Sequence, residues 1–234
     1  FEVEFEDGEK VVCDEAHRWP VSEFTYSGRK ERVATPAEMT GRERFRNGKR
    51  WRFHVATCQP TQAPPRDLPI DPYLLGLWLG DGSSWMNHIS VHEDDAEIVD
   101  ILRQCGVEAI FRLPKWRKGK CANVVIDPTF RARDENGQPV ASCGSSLFSA
   151  RLRLLDLVAN KHVPAAYLRS GIEQRRALIQ GLMDSDGTIG ADGKTCEFSN
   201  ADRKLVDALI ELLRSPGYRP HSQWVGSRRR SFSG

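Results

Sequence analysis

The sequence reads as an α+β protein in two parts, a β-rich segment over residues 1–58 and a mixed helix–strand segment over residues 70–234. Three observations lead there. Residues 1–58 carry short strand and hairpin signals. Residues 59–69 hold four prolines, the composition of a linker. Beyond them one ten-residue pattern recurs at an interval of about 105 residues.

Phe1 to Phe5 alternates apolar with acidic residues, Asp7-Gly8 is a hairpin signal, and Val11-Val12-Cys13 resumes the strand. Trp51 to Ala56 reads as a further strand. Between them Thr35-Pro36-Ala37-Glu38 supplies an N-cap, a proline at the first helical position and an acid in the first turn.

The recurring pattern appears when Tyr73-Leu-Leu-Gly-Leu-Trp-Leu-Gly-Asp81-Gly82 is laid on Leu178-Ile-Gln-Gly-Leu-Met-Asp-Ser-Asp186-Gly187. Each copy continues with a strand, Ile89-Ser-Val-His or Cys196-Glu-Phe-Ser, and then an amphipathic helix, Ala96 to Arg103 or Arg203 to Ile210. Gly106 and Gly217 end those helices. Asp71-Pro72 and the capping box Ser170 to Glu173 start the two motif helices, which stop at Gly82 and Gly187. The repeats are therefore 70–169 and 170–234. Gly76 with Gly80, and Gly181 with Ser185, put small residues on one face of each motif helix, where two backbones can approach closely.

Hydrophobic residues at 39% and charged residues at 28% exclude a disordered chain. The apolar run Leu74 to Leu79 is far short of the roughly 20 residues that span a bilayer, so no membrane partner is expected. The start at Phe1 shows no signal-peptide pattern. Six cysteines without a CxxC pair read as reduced thiols, and a cytoplasmic location is expected. The net charge of +2 hides an uneven distribution. Residues 1–15 carry seven acids, Arg42 to Arg52 six basic residues, and 112–120 five (Arg112, Lys115, Arg117, Lys118 and Lys120) with no acid. That last stretch, with Trp116, is a candidate contact for phosphates, although such runs are also the ordinary make-up of a solvated face.

Stacking the motif helices through their small faces brings Asp81 and Asp186 together at two helix C-termini. Two carboxylates there repel each other and the partial negative charge of the helix ends, so either their pKa rises or divalent cations neutralise them. Mg²⁺, in two or more ions, suits oxygen ligands beside phosphate, and such a site points to phosphodiester hydrolysis. Asp184, opposite Leu79 in the first copy, reads as structural.

Leu74 to Gly82 and Ile179 to Gly187 resemble the two dodecapeptide blocks of LAGLIDADG homing endonucleases, in the form found inside inteins. The resemblance implies a monomer with pseudo-twofold αββαββα repeats, motif helices at the centre, a β-saddle over double-stranded DNA, and Asp81 and Asp186 as catalytic metal ligands. Asn160-Lys161-His162-Val163-Pro164 resembles the block whose lysine assists catalysis, which gives Lys161 that role. Val11 to Trp19 resembles the splicing block that ends in a histidine, which makes 1–58 part of an all-β, Hint-type splicing domain and His17 the residue that polarises the scissile amide. Asp14 stands where that family usually has Thr. An intein begins with Cys or Ser and ends with Asn before a nucleophile, whereas this chain runs from Phe1 to Gly234. It is therefore read as an internal piece, with its second repeat truncated and its host protein's exteins as partners of the parent. As it stands, the chain is expected neither to splice nor to cut efficiently.

Two other readings compete. A non-cutting DNA-binding or maturase-like module would keep the fold without the chemistry. A zinc site from Cys13, His17, His54 and Cys58 has the right ligand types, but in unusual spacing.

Overall fold

A computed structural model describes residues 1–6, 8–45, 48–56, 59–113, 120–127 and 146–225. The chain divides into two compact units, one formed by Phe1–Pro60 with the residues from Gly217 onward, the other by Thr61–Pro216.

In the first unit, β1 (Glu2–Glu4) and β2 (Lys10–Val12) form a hairpin with Glu2 opposite Val12. Gly8 takes φ +84° in its turn, a conformation open to glycine without strain. A second hairpin, β3 (Trp19–Thr25) and β4 (Gly28–Ala34), lies where the sequence offers little apolar alternation. A buried charge joins the buried Val21 and Ala34 there. Glu23 is buried and takes Arg32 at 2.6 Å and Arg52 at 2.8 Å, with Arg42 at 3.2 Å. Burial alone would raise its carboxyl, but the hydrogen bonds from Arg32 and Arg52 outweigh that and hold it below the usual range. The helix α1 (Pro36–Met39) starts at Thr35 with a full capping box to Glu38. The strand expected over Trp51 to Ala56 is confined to β5 (Phe53–His54), on the free edge of β3.

The second unit runs α2 (Pro72–Asp81), β6 (His88–His92), α3 (Ile98–Gln104), β7 (Ala109–Arg112), β8 (Cys121–Ile126), α4 (Leu147–Leu154), α5 (Ala165–Leu168), α6 (Ile172–Asp186), β9 (Gly187–Ile189), β10 (Cys196–Phe198) and α7 (Arg203–Arg214). β6, β8 and β7 form an antiparallel sheet in that order, and β9 pairs with β10. Leu74, Leu75, Leu77, Trp78 and Leu79 are each 3% exposed or less, so α2 is apolar all round and forms the middle of the core. Ile89, Leu102, Val124, Phe148, Leu178, Leu182 and Leu209 pack with it.

The interval between the copies is not constant. Gly82 pairs with Ile89, seven residues on, whereas Gly187 pairs with Phe198, eleven residues on. Ile89 therefore corresponds to Phe198 rather than to Cys196, because the second hairpin has the longer turn. The helix expected from Ala96 starts at Ile98 and has 7 residues against 12 in α7.

Three boundaries differ from the sequence reading. The cap of α6 is Gly171, whose N–H donates to Gln174 Oε1 at 3.1 Å, while Ser170 Oγ turns to Tyr167 O at 2.8 Å. The proline-rich stretch is largely not a free linker. Arg66 N–H donates to Gln174 Oε1 at 2.9 Å, Gln174 Nε2 donates back to Arg66 O at 2.7 Å, and Arg175 reaches Thr61 O. Prolines leave few backbone donors to satisfy, so this extended chain can lie against α6 on so few bonds. Finally, the residues from Gly217 group with the first unit and not with the second repeat.

Candidate active site at the paired helices

The site is built on the close approach of α2 and α6. A Cβ placed on Gly76 would lie 2.5 Å from Leu178 O, and one on Gly181 would lie 2.2 Å from Tyr73 O. One on Gly80 would lie 2.0 Å from Ser185 Oγ. The backbones touch at Gly76 and Gly181, where a side chain would separate them, while at Gly80 it would have to displace the Ser185 side chain. Ser185 fits by folding its hydroxyl back onto Gly181 O at 3.1 Å and Leu182 O at 3.0 Å. The Tyr73 hydroxyl donates to Asp184 Oδ2 at 2.9 Å and ties the helices laterally.

The contact places Asp81 and Asp186 side by side at two helix C-termini. At each end the cap glycine is extended, Gly82 at ψ 148° and Gly187 at ψ 156°, so the chain leaves the helix directly toward a strand. The Asp81 carboxyl is raised by burial first and by Asp186 second, with Lys161 pulling the other way. Lys161, on the segment between α4 and α5, donates from Nζ to Gly80 O at 3.0 Å and lies 5.2 Å from the Trp78 ring centroid. Burial lowers its pKa, and Asp186 and Asp81 oppose that shift. Asn200 Nδ2 donates to Asp186 Oδ2 at 2.7 Å. Sequence reasoning missed Asn200, although a polar residue in the turn after the motif strand was a usable signal.

Both acids and the lysine thus stand together. Among the described residues no group of three or more His, Cys, Asp or Glu side chains could hold a metal ion. Two carboxylates with open coordination are nonetheless what Mg²⁺ accepts, since it keeps several waters and completes its shell with phosphate. The repulsion that raises Asp81 is what a cation would relieve.

Asp81 and Asp184 also line an open cavity of about 720 Å³ with Tyr73, His92, Lys120 and Cys121. Lys120, just before β8, therefore lies on the rim of the space that Asp81 faces. Arg112 ends β7, exposed, opposite Asn123 of β8. Lys115, Trp116, Arg117 and Lys118 lie outside the described residues. His17 belongs to the other unit, exposed and edge-on to Trp19 at 5.0 Å, while Asp14 Oδ1 accepts the Ala16 N–H at 2.9 Å. His54 stands edge-on to Phe24 at 4.8 Å. Cys58, the fourth member of the zinc reading, is outside the described residues. No helix among the described residues is long and apolar enough to cross a membrane.

Residues 173–221, within the second copy, match a LAGLIDADG-like domain. Over 238 residues the chain is 31% identical to the replicative DNA helicase DnaB of Mycobacterium intracellulare, covering 94% of this chain and 34% of that protein. It is 27% identical over 165 residues to the homothallic switching endonuclease of Saccharomyces cerevisiae, covering 62% of this chain and 27% of that one. The chain thus spans about a third or less of the length of these curated relatives. A solved structure of mesophilic variants of the homing endonuclease I-DmoI aligns at 14% identity with a TM-score of 0.37, covering 62% of this chain and 75% of that chain.

Proposed function

We propose that the parent of this chain is a homing endonuclease that hydrolyses phosphodiester bonds of double-stranded DNA with Mg²⁺. The observation that carries the reading is the pair Asp81 and Asp186 at the ends of two helices in backbone contact, with Lys161 beside both. The similarity to the homothallic switching endonuclease supports it. When bound, the metal would supply an activated water and stabilise the leaving oxygen. Asp81 and Asp186 would hold it, and Gly76, Gly80, Gly181 and Ser185 set the separation of the acids. Lys161, anchored on Gly80 O, presents an ammonium to the developing negative charge. Arg112, Lys115, Trp116, Arg117, Lys118 and Lys120 would contact DNA, and pseudo-twofold αββαββα repeats would let a monomer engage both strands.

The 94% coverage of this chain by about a third of a replicative helicase supports the reading that the element is an intein carried in such a host. The discontinuous first unit would then be its Hint-type splicing part, with His17 polarising the scissile amide and the helicase segments as exteins.

The test is incubation of the full-length parent with Mg²⁺ and a plasmid bearing the helicase gene without the element. Linearised plasmid is the expected product, lost in Asp81→Asn and Asp186→Asn. Tight binding without cutting would assign the chain to the non-cutting class instead.

A further inference from the structure

The two motif acids occupy corresponding places but are not held alike. Two residues beyond the strand partner of the cap glycine, the second copy has Asn200 and the first has Val91. Asn200 donates from Nδ2 to Asp186 Oδ2 at 2.7 Å, and its Oδ1 accepts the Asp202 N–H at 2.7 Å. An amide oxygen committed to a backbone N–H leaves the NH₂ group nowhere to turn except toward the carboxylate, so the assignment of O and N is fixed by both partners. Asp202 in turn caps α7 through the Lys204 N–H at 2.9 Å, which anchors the amide to the start of a twelve-residue helix. The Val91 side chain has no donor to offer, and no hydrogen-bond donor among the described residues reaches the Asp81 carboxylate. On the first side the nearby fixed group is Lys161, which bonds Gly80 O rather than Asp81.

We infer that Asn200 is a positioning residue that fixes the Asp186 carboxylate, making the Asp186 side of the paired-acid site preorganised and the Asp81 side loose. The inference rests on the metal-dependent reading above. One oxygen of Asp186 is occupied and oriented, so the other is presented in one direction, whereas Asp81 must be ordered when the cation arrives. Partners that orient a ligating carboxylate typically change metal affinity 10- to 100-fold when removed. The two acids should therefore contribute unequally to cation binding, the Asp186 side more strongly.

The experiment is calorimetric titration of Ca²⁺ onto the full chain, DNA-free, in the wild type, Asp81→Asn, Asp186→Asn, Asn200→Val and Val91→Asn. Asn200→Val copies the first-copy residue, and its melting temperature beside the wild type controls for folding. The expected result is a loss of affinity of about ten-fold or more in Asn200→Val, with no further loss when Asn200→Val is added to Asp186→Asn. Val91→Asn should raise the affinity that survives in Asp186→Asn. A purely structural role for Asn200 would give the same loss in both backgrounds and would overturn the inference, as would equal affinity in wild type and Asn200→Val. Failure of the metal-dependent reading looks different: the wild type itself would not bind Ca²⁺, or both acid variants would bind like it.

Discussion

The two copies of the motif use the same helix end in different settings. The first, α2, is buried all round, leads through the single bridge Gly82–Ile89 into a three-stranded sheet, and has Lys161 on its last turn. The second, α6, is partly solvated, passes directly into the hairpin β9–β10, and has Asn200 on its acid. What they share is the small-residue face and the terminal aspartate; what they do not share is everything that holds the aspartate. The copies therefore share the geometry that brings two carboxylates together, while among the described residues only the Asp186 carboxylate has a hydrogen-bonding support.

Removing either acid tests the shared part. In the parent, Asp81→Asn and Asp186→Asn should each lower double-strand cleavage by at least about a thousand-fold while DNA affinity, measured by gel shift, stays within a few-fold, because lysines and arginines rather than the acids would hold the phosphates. A variant that cuts normally would remove its acid from the site.

The helix contact should respond unequally along its length. Gly181→Ala pushes a methyl against the Tyr73 carbonyl, which cannot move alone, and should cost about 3 kcal/mol; Gly80→Ala meets Ser185 Oγ, a side chain that can rotate, and should cost about 1 kcal/mol. Urea midpoints in the same order would locate the rigid part of the contact at the middle of the pair, and the reverse order would contradict it.

Lys161→Met should slow cutting by about 10- to 100-fold, less than loss of an acid, since an ammonium stabilises charge without holding the ion. If Lys161 served only to pin Gly80 O, single-turnover rates would hardly change and thermal stability alone would move. Lys120→Ala should reduce the slope of log affinity against log salt by about one, uniformly across DNA sequences; an unchanged slope would place the cavity rim away from DNA.

The smallest effect concerns the metal-free protein. A carboxyl with a raised folded-state pKa is penalised when ionised, so it lowers stability as pH climbs through its folded pKa and has no such effect below the unfolded value. Asp81 is raised by burial and by Asp186. Asp81→Asn should therefore increase the melting temperature at neutral pH, by no more than the 2–4 °C that about 1 kcal/mol is worth in a chain of this size, given solvent screening at a carboxyl that is only partly covered. The gain should vanish under acidic conditions, and a gain that persists there would have another cause.

Local signals served the reading well where the chemistry is local. Thr35 caps α1 with Glu38, Asp71 caps α2 at the N–H of Tyr73 and Leu74, and Gly106 and Gly217 take left-handed φ of +76° and +97°. Local signals failed at β3–β4, where Glu23 is buried among three arginines beside Val21, and at 59–69, where prolines imitate a linker while Gln174 and Arg175 hold most of the segment down.

By itself the sequence determined the repeat, the two aspartates at the helix ends, and the small residues that make a helix pair possible, because these depend on residue type and on a spacing of four. The tertiary structure alone decided that Lys161 reaches Gly80, that Asn200 and not its first-copy counterpart holds an acid, and that the residues from Gly217 return to the first unit. Each of these joins positions whose separation in sequence says nothing of their distance in space. Turn lengths set that distance: the second hairpin's turn is four residues longer than the first, so a constant repeat interval does not lay Asn200 on Val91, although each stands two residues beyond the strand partner of its cap glycine.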